Sequence, residues 1–582
     1  MISILQVFYS VFSGLLLSLA IPNEYYLHGV PFLAFIAIIP LYKAIKSAGS
    51  YRRAFLLGFI QTITTHLASS FWLAFFKDFA IFTLGGSALA SGLYGGVTAL
   101  AMYLPYYNQN KERLYQYSIY RNIVETEAFR ITYFSALYVI YEWIKSSGFL
   151  GYPWGTISGA MFDFPQLRQL AEITGTYGIT FIVVFFNCIA SELIEYIFNS
   201  TKHYAENINK SLLYAGKTFL FLFLFILIFG QYEYSKTRTP VKSINSVLVQ
   251  ANADPWDTLT DKNIILNSER LTKEGIEKLK SENKEPQLIV WSEGVLFRPF
   301  PLSSGYYRNN PSDGPLMPFI EEIQTPLIAG GSYIEQKQNS DGTDYDKYYN
   351  SAIVFDKNGS YAGFYAKLHL VPFAELIPGA DNEFVQKFLS KVAGISSGWS
   401  KGEYLTFFDL PCNSLIDKTS TYIRNYTLAD NNSPQDDSKT TVKIATPICF
   451  DDAFTDVMRP LFLNGAELFV NLTDDSWSLK KSSENQHCIN ASYRAIEYRT
   501  TLVRATNAGY TVVIDPSGKI IADLPLFVQD SLACEVPVYQ RRITVYAYLG
   551  NWFVYLCLLL FFVTSLICKQ NFISKKLSIL TE

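Results

Sequence analysis

Residues 440–454 read TTVKIATPICFDDAF. A β-type run stops at Pro447, one cysteine follows, and two adjacent acids come next. Branched residues punctuated by proline mark a strand and its end, so Cys449 stands at the end of a strand. The charges beside it are the wrong sign for a reactive thiol. A thiolate is favoured by nearby positive charge, whereas Asp451 and Asp452 are negative. Either Cys449 is a small packed hydrophobe, its ordinary role in a β-rich run, or a cation from elsewhere in the chain comes to meet it.

Short β-rich runs continue on both sides of this stretch. INSVLVQAN (244–252), PQLIVWSE (286–293), TPLIAGGSYI (325–334), NSAIVFD (350–356) and GFYAK (363–367) precede it, and AELFVNLTD, TLVRATNAG and YTVVIDPSG follow. Helical stretches such as NSERLTKEGIEKLKSE and ENQHCINASYRAIEYRTT lie between them. The alternation predicts an α/β domain over 245–545. Residues 413–440, with LADNNSPQDDSKTT, read as a surface insertion.

The first 232 residues repeat a different theme. Apolar spans at about 2–21, 31–45, 54–76, 83–105, 130–150, 177–198 and 214–231 approach the ~20 residues that cross a hydrocarbon core. The second is short and the fourth is rich in Gly and Ala. The N-terminal stretch lacks the positive n-region of a signal peptide and reads as a first membrane helix. Residues 233–244 form a polar linker, 549–570 an eighth span and 571–582 a basic tail. Lysines and arginines cluster in alternate joints (Lys43 to Arg53, Lys111 to Arg130, Lys202 to Lys217) and after the last span. By the positive-inside rule those joints and both termini face the cytoplasm, which puts 245–545 on the outer side.

Composition excludes other classes. Formal net charge is -3, so no basic field suggests nucleic acid. Hydrophobic residues make up 49% of the chain while mean hydropathy is only +0.13, as expected of a membrane part joined to a soluble part. Seven cysteines without close pairs and five dispersed histidines indicate neither a disulfide framework nor a metal site.

Three strand ends each deliver one reactive type: Glu293 in VWSEG, Lys367 in YAKLHLVPFAELIPG, and Cys449. Singly, each has an ordinary explanation as surface charge or packing. Together they make a working set, because a cysteine nucleophile needs a base for its proton and a cation for the developing anion.

A Glu, Lys and Cys in that order at strand ends resembles the nitrilase (carbon–nitrogen hydrolase) superfamily. KLHLVPFAELIPG (367–379), GYPWG (151–155), NLTDDSW (471–477), RAIEYR (494–499), VRATNAG (503–509) and IDPSG (514–518), together with the spans, resemble the apolipoprotein N-acyltransferase family. The resemblance implies a polytopic helical bundle plus a nitrilase-like α-β-β-α sandwich in the bacterial inner membrane. It implies acyl transfer without cofactor or metal, from a phospholipid to a diacylated apolipoprotein, by a monomer. Glu293 would be the base, Lys367 the oxyanion partner, Cys449 the acyl carrier and Glu375 a supporting carboxylate. Phe450, Asp451, Trp477 and Trp256 would support substrate. The family commonly has Tyr-Glu after the nucleophile, where this chain has Phe450 and Asp451, and Asn where this chain has Asp474. A membrane-tethered amidase and a non-catalytic lipoprotein-binding homologue are the competing readings.

Overall fold

The computed structural model describes residues 3–76, 81–107, 123–200, 210–254, 262–338, 342, 344–372, 374–376, 398–415 and 440–581. Trp256, most of the 413–440 insertion and the basic joint containing Lys111, Arg113 and Arg121 lie outside the described residues. The chain divides into two compact units. One comprises Met1–Lys236, Lys480–Tyr493 and Thr544–Glu582, the other Thr237–Leu479 and Arg494–Ile543.

The first unit is helical, with Ile4–Ala20, Pro31–Ala37, Ile39–Lys46, Tyr51–Ser69, Ser87–Tyr103, Glu127–Lys145, Thr176–Ser200, Lys210–Ser235 and Trp552–Thr581. The span expected at 31–45 is divided at Ile38. Pro40 lies in the first turn of the second piece, where a missing N–H leaves no helical bond unmade. Among the described residues, Thr83–Tyr106, Thr176–Phe198, Lys210–Ser235 and Trp552–Lys569 are long and apolar enough to cross a membrane. The Gly-rich span is a helix because its small residues serve close packing. A Cβ on Gly58 would fall 2.5 Å from the Ala99 side chain and 2.6 Å from the Gly95 carbonyl, the close approach that small residues permit between membrane helices. The GYPWG turn is fastened to the end of Glu127–Lys145. Lys145 Nζ donates to the carbonyls of Trp154 and Gly155 at 2.7 and 3.2 Å, and the Glu142 carboxylate accepts from the Ile157 N–H at 2.7 Å.

The second unit holds thirteen strands among its described residues: β1 Lys242–Gln250, β2 Leu288–Val290, β3 Leu327–Gln338, β4 Asp344–Phe355, β5 Tyr361–Ala366, β6 Phe408–Pro411, β7 Asn413–Ser414, β8 Thr441–Ala445, β9 Leu468–Thr473, β10 Thr501–Thr506, β11 Val512–Ile514, β12 Ile520–Asp523 and β13 Asp530–Val538. They form two sheets, β13-β1-β2-β3-β4-β5 with β7 beside β1, and β12-β11-β10-β9-β8-β6. β1 and β13 of the first sheet contact β10 of the second. Lys262–Ser281 and Leu316–Ile323 pack their apolar residues against the first sheet. On the second, Phe462 of helix Thr455–Leu463 and Phe469 of β9 both contact the Tyr498 ring. The layers are therefore α-β-β-α.

Topology gathers the reactive strand ends. β2 and β3 are parallel, and β5 runs with them because β4 is antiparallel to both neighbours. Residues just past β2 and β5 thus emerge at one end of the first sheet. β8 and β9 are parallel in the second sheet, so Cys449 and the loop after Thr473 leave it together.

Candidate active site

Glu293 is held by what precedes it. Trp291 is fully buried, donates its indole N–H to Thr272 at 2.9 Å and stacks on Phe319. β3 then crosses the Glu293 backbone at closest range: a Cβ on Gly330 would lie 2.4 Å from Glu293 Cα and 2.5 Å from the Ser292 carbonyl. Only glycine leaves room for that approach.

Glu293 closes a polar ring of four side chains with Lys367, Asn350 and Glu375. Lys367 Nζ donates to Glu293 Oε1 at 3.1 Å and to Glu375 Oε1 at 3.0 Å. Asn350 Nδ2 donates to the same two oxygens at 2.7 and 2.8 Å. The second oxygen of Glu293 accepts from the Asp474 N–H at 3.0 Å, and that of Glu375 from the Val371 N–H at 2.8 Å. Lys367 is 1% exposed. Burial alone would lower its pKa, but the carboxylates of Glu293 and Glu375 outweigh that effect and hold it well above the ordinary lysine value. It remains an ammonium throughout the accessible pH range.

Cys449 opens a short 3-10 turn, Cys449–Ala453, with φ of 45°. A non-glycine residue in this region costs of order 1–3 kcal/mol and persists where its surroundings enforce it. The enforcing contacts come from the acids that made the sequence look hostile. Asp451 turns inward and accepts from the Ile448 N–H at 3.1 Å, the Tyr365 hydroxyl at 2.9 Å and the His369 N–H at 2.7 Å. It therefore joins the loop carrying Cys449 to the loop carrying Lys367. Asp452 pairs with Arg504, a wholly buried guanidinium on β10 that also reaches Asp475 at 3.1 Å. Asn471 Nδ2 adds a bond to the Cys449 carbonyl at 3.3 Å.

These arrangements change what the cation does. Burial and then the Glu293 carboxylate push the Cys449 thiol well above its ordinary pKa, and Lys367 only partly opposes them. The resting sulfur is a thiol. Its proton has a buried carboxylate as nearby acceptor, and an anion formed at the site would meet the Lys367 ammonium. That combination supports nucleophilic attack on a carbonyl, with thiol deprotonation coupled to bond formation.

Phe450 and Asp451, expected near substrate, are both buried. Phe450 packs with Phe454 and His369, and Asp451 is the inward clasp. Glu375 bears on Lys367 directly. Trp477 is 40% exposed in the turn Ser476–Ser478. Asp474 accepts from Ser476 and Asn507, and burial raises its carboxyl to about 7. Sequence reasoning missed Asn350 and Arg504. An arginine in the otherwise apolar β10 run, TLVRAT, was a usable signal, because a buried charge requires a partner.

Residues 13–189 match the family model described as apolipoprotein N-acyltransferase N-terminal domain, and 276–540 match that described as carbon-nitrogen hydrolase. The chain is 37% identical over 555 residues to a Treponema denticola protein named apolipoprotein N-acyltransferase 2, covering 94% of each. It is 31% identical to a Treponema pallidum protein of the same name, covering 95% of this chain and 93% of that one. A Borreliella burgdorferi protein named apolipoprotein N-acyltransferase is 28% identical, with 96% and 94% covered.

Proposed function

The chain belongs to the apolipoprotein N-acyltransferase family, and from that premise we propose that Cys449 carries a fatty acyl group from the sn-1 position of a phospholipid to the α-amino group of a diacylglyceryl-cysteine at a lipoprotein N-terminus. The observation that carries the assignment is the ring that Glu293, the nucleophile's proton acceptor, closes with Lys367, Glu375 and Asn350.

In the first half-reaction Glu293 takes the thiol proton as sulfur attacks the ester carbonyl. Lys367 and a backbone N–H beside Cys449 stabilise the oxyanion. The C–O bond breaks, Glu293 returns the proton to the glycerol oxygen, and lysophospholipid leaves. In the second half-reaction the acceptor nitrogen attacks the thioester, Glu293 takes a proton from it, and the C–S bond breaks to restore the thiol. Dividing one acyl transfer into two through an intermediate is a recurrent use of an activated cysteine.

The enzyme is membrane-associated through its apolar helices, and its substrates are lipid and lipoprotein. We further assign 1–232 and 549–570 to the membrane, 245–545 to the outer side, and both termini to the cytoplasm, on the distribution of lysine and arginine in the joints. A monomer suffices, because Glu293, Lys367 and Cys449 come from one chain.

The test is acyl labelling. Purified protein incubated with acyl-labelled phospholipid should acquire label that neutral hydroxylamine removes, and should pass it to a diacylated lipopeptide. Cys449→Ala should acquire none. Label retained in that variant would refute the mechanism, and release only to water would favour the amidase.

A further inference from the structure

β3 runs on past its neighbour on one side. Its pairing with β2 ends at Val290 beside Ile328, whereas its pairing with β4 continues to Gln338 beside Asp344. The segment after Glu293 covers part of the gap. Leu296 N–H donates to the Gly330 carbonyl and Phe300 N–H to the Ser332 carbonyl, both at 2.9 Å. From Ile334 outward, no strand among the described residues lies beside β3 on this side.

The direction of each backbone group follows from the alternation of a strand. On the β2 side the carbonyls of Ile328, Gly330 and Ser332 are the ones taken, so even-numbered residues of β3 point away from β4. β4 agrees. Its Tyr348 and Asn350 carbonyls accept from the Ser400 and Lys367 N–H groups, away from β3. Odd-numbered pairs such as Glu335 with Lys347 and Lys337 with Tyr345 therefore bond across the ribbon. Ile334 and Gln336 turn their N–H and C=O groups to the open edge, and an unpaired edge is a template for another strand. The charged side chains beside it are engaged with one another. Lys337 pairs with Glu335 at 2.7 Å, Tyr349 donates to Glu335 at 3.1 Å, and Lys347 pairs with Glu403 at 2.8 Å. What the edge offers an incoming chain is main chain.

This edge starts at the site. A Cβ on Gly330 would fall 2.4 Å from Glu293 Cα, and the strand from there to Ile334 reaches ~13 Å outward. Of the two substrates, the phospholipid has no peptide groups to pair, while the acceptor continues from its reacting α-amine as a polypeptide. About four residues of extended chain span the same distance. We propose that the acceptor polypeptide pairs as an added strand with the edge of β3 at Ile334 and Gln336 while its α-amine lies at Cys449. This rests on the acyl-transfer reading above. Main-chain pairing supplies affinity without reading every side chain, so acceptors of unrelated sequence are taken alike.

The experiment uses the full-length protein in detergent with acyl-labelled phospholipid and two diacylated acceptors, one of about two residues, too short to reach Ile334, and one of about twelve. With wild type the long acceptor should show a KM about tenfold lower, the worth of one or two main-chain hydrogen bonds. Gln336→Pro removes the outward N–H and sets a ring on the edge, a place that tolerates proline because β4 loses no bond. It should raise the KM of the long acceptor to that of the short one, with kcat and thioester formation within about threefold of wild type. Gln336→Ala keeps the N–H and should behave as wild type. Scrambling the long acceptor should leave its KM within about threefold. N-methylation of one alternate set of its residues should raise KM on the unaltered enzyme and methylation of the other set should not, which keeps the test decisive if Q336P does not fold. Equal KM for both acceptors on wild type would overturn the proposal, and so would a rise in Q336P shared by the short acceptor. A wild type that is dimeric in detergent and becomes monomeric as Q336P would also overturn it, by giving the edge to a second copy. A wild type that forms no hydroxylamine-sensitive thioester would refute the acyl-transfer reading itself, whereas a thioester passed equally well to both acceptors would remove only the role of the edge.

Discussion

Gly330→Ala should disable the enzyme without touching any reacting group. The added methyl would sit 2.4 Å from Glu293 Cα, 2.5 Å from the Ser292 carbonyl oxygen and 2.7 Å from the Gly294 nitrogen. Ordinary contacts begin near 3.4 Å, so β3 and the 292–294 segment must separate by about 1 Å. All three obstacles are backbone atoms, and no side-chain rotation relieves them. Overpacking of this kind costs about 1–3 kcal/mol. The functional loss should be larger. Glu293 accepts from Lys367 at 3.1 Å and from the Asp474 N–H at 3.0 Å, and a shift of 1 Å carries both past hydrogen-bonding range. Misplacement of a catalytic group by this amount costs about 100-fold in rate. The assay is single-turnover thioester formation beside a thermal melt, with Gly305→Ala as control, because a Cβ there meets nothing within 4 Å. Thioester formation within threefold of wild type in G330A would refute the claim that β3 sets the position of the base.

Replacing Lys367 with Met strands the Glu293 and Glu375 carboxylates together, and should destabilise the fold by about 3–5 kcal/mol. Adding Glu375→Gln should recover part of the melting temperature but none of the activity. Alkylation of Cys449 by iodoacetamide at pH 7 should be at least tenfold slower than that of an ordinary cysteine, because burial and Glu293 keep the thiol protonated. Glu293→Gln should abolish thioester formation yet speed alkylation; slower alkylation in that variant would contradict the assigned cause. Burial holds Asp451 and Asp474 at about 7, against an ordinary 3.8. The folded state therefore binds more protons than the unfolded between about pH 4 and 7, and stability should decline as pH rises through that window. Asp474→Asn should flatten the decline and raise stability at pH 8 by up to about 4 kcal/mol, as read by unfolding at pH 5 and pH 8.

The proposed trio of Glu293, Lys367 and Cys449 could be singled out in the sequence because each member follows a β-rich run, and strand ends are where an α/β fold exposes chemistry. The puzzle of Asp451 and Asp452 could not be resolved there. Their partners are backbone N–H groups at Ile448 and His369 and the guanidinium of Arg504, and the direction in which a side chain turns is not encoded in its neighbours. For the same reason Lys367 looked like the thiol's cation, when its charge is already divided between two carboxylates. The break at Ile38 was legible: Pro40 stood inside the expected span and signalled a restart. The Gly-rich span expected at 83–105 is a long apolar helix despite its composition, because a glycine that weakens an isolated helix strengthens a pair that packs through it.

The helical unit takes Lys480–Tyr493 from the middle of the chain. Gln486 donates to the carbonyls of Pro22 and Ser69 at 2.7 and 2.9 Å, and Trp154 packs against His487. Synthesis proceeds from the N-terminus, so the helices up to Lys210–Ser235 are made long before the segment that completes their packing. The bundle must wait, partly finished, while residues 237–479 are translated. A gene cut after Lys236 would yield a bundle missing an internal part, and coexpressing the remainder as a second polypeptide would have to return that part from inside another fold. The two units are distinct in packing but indivisible as genes.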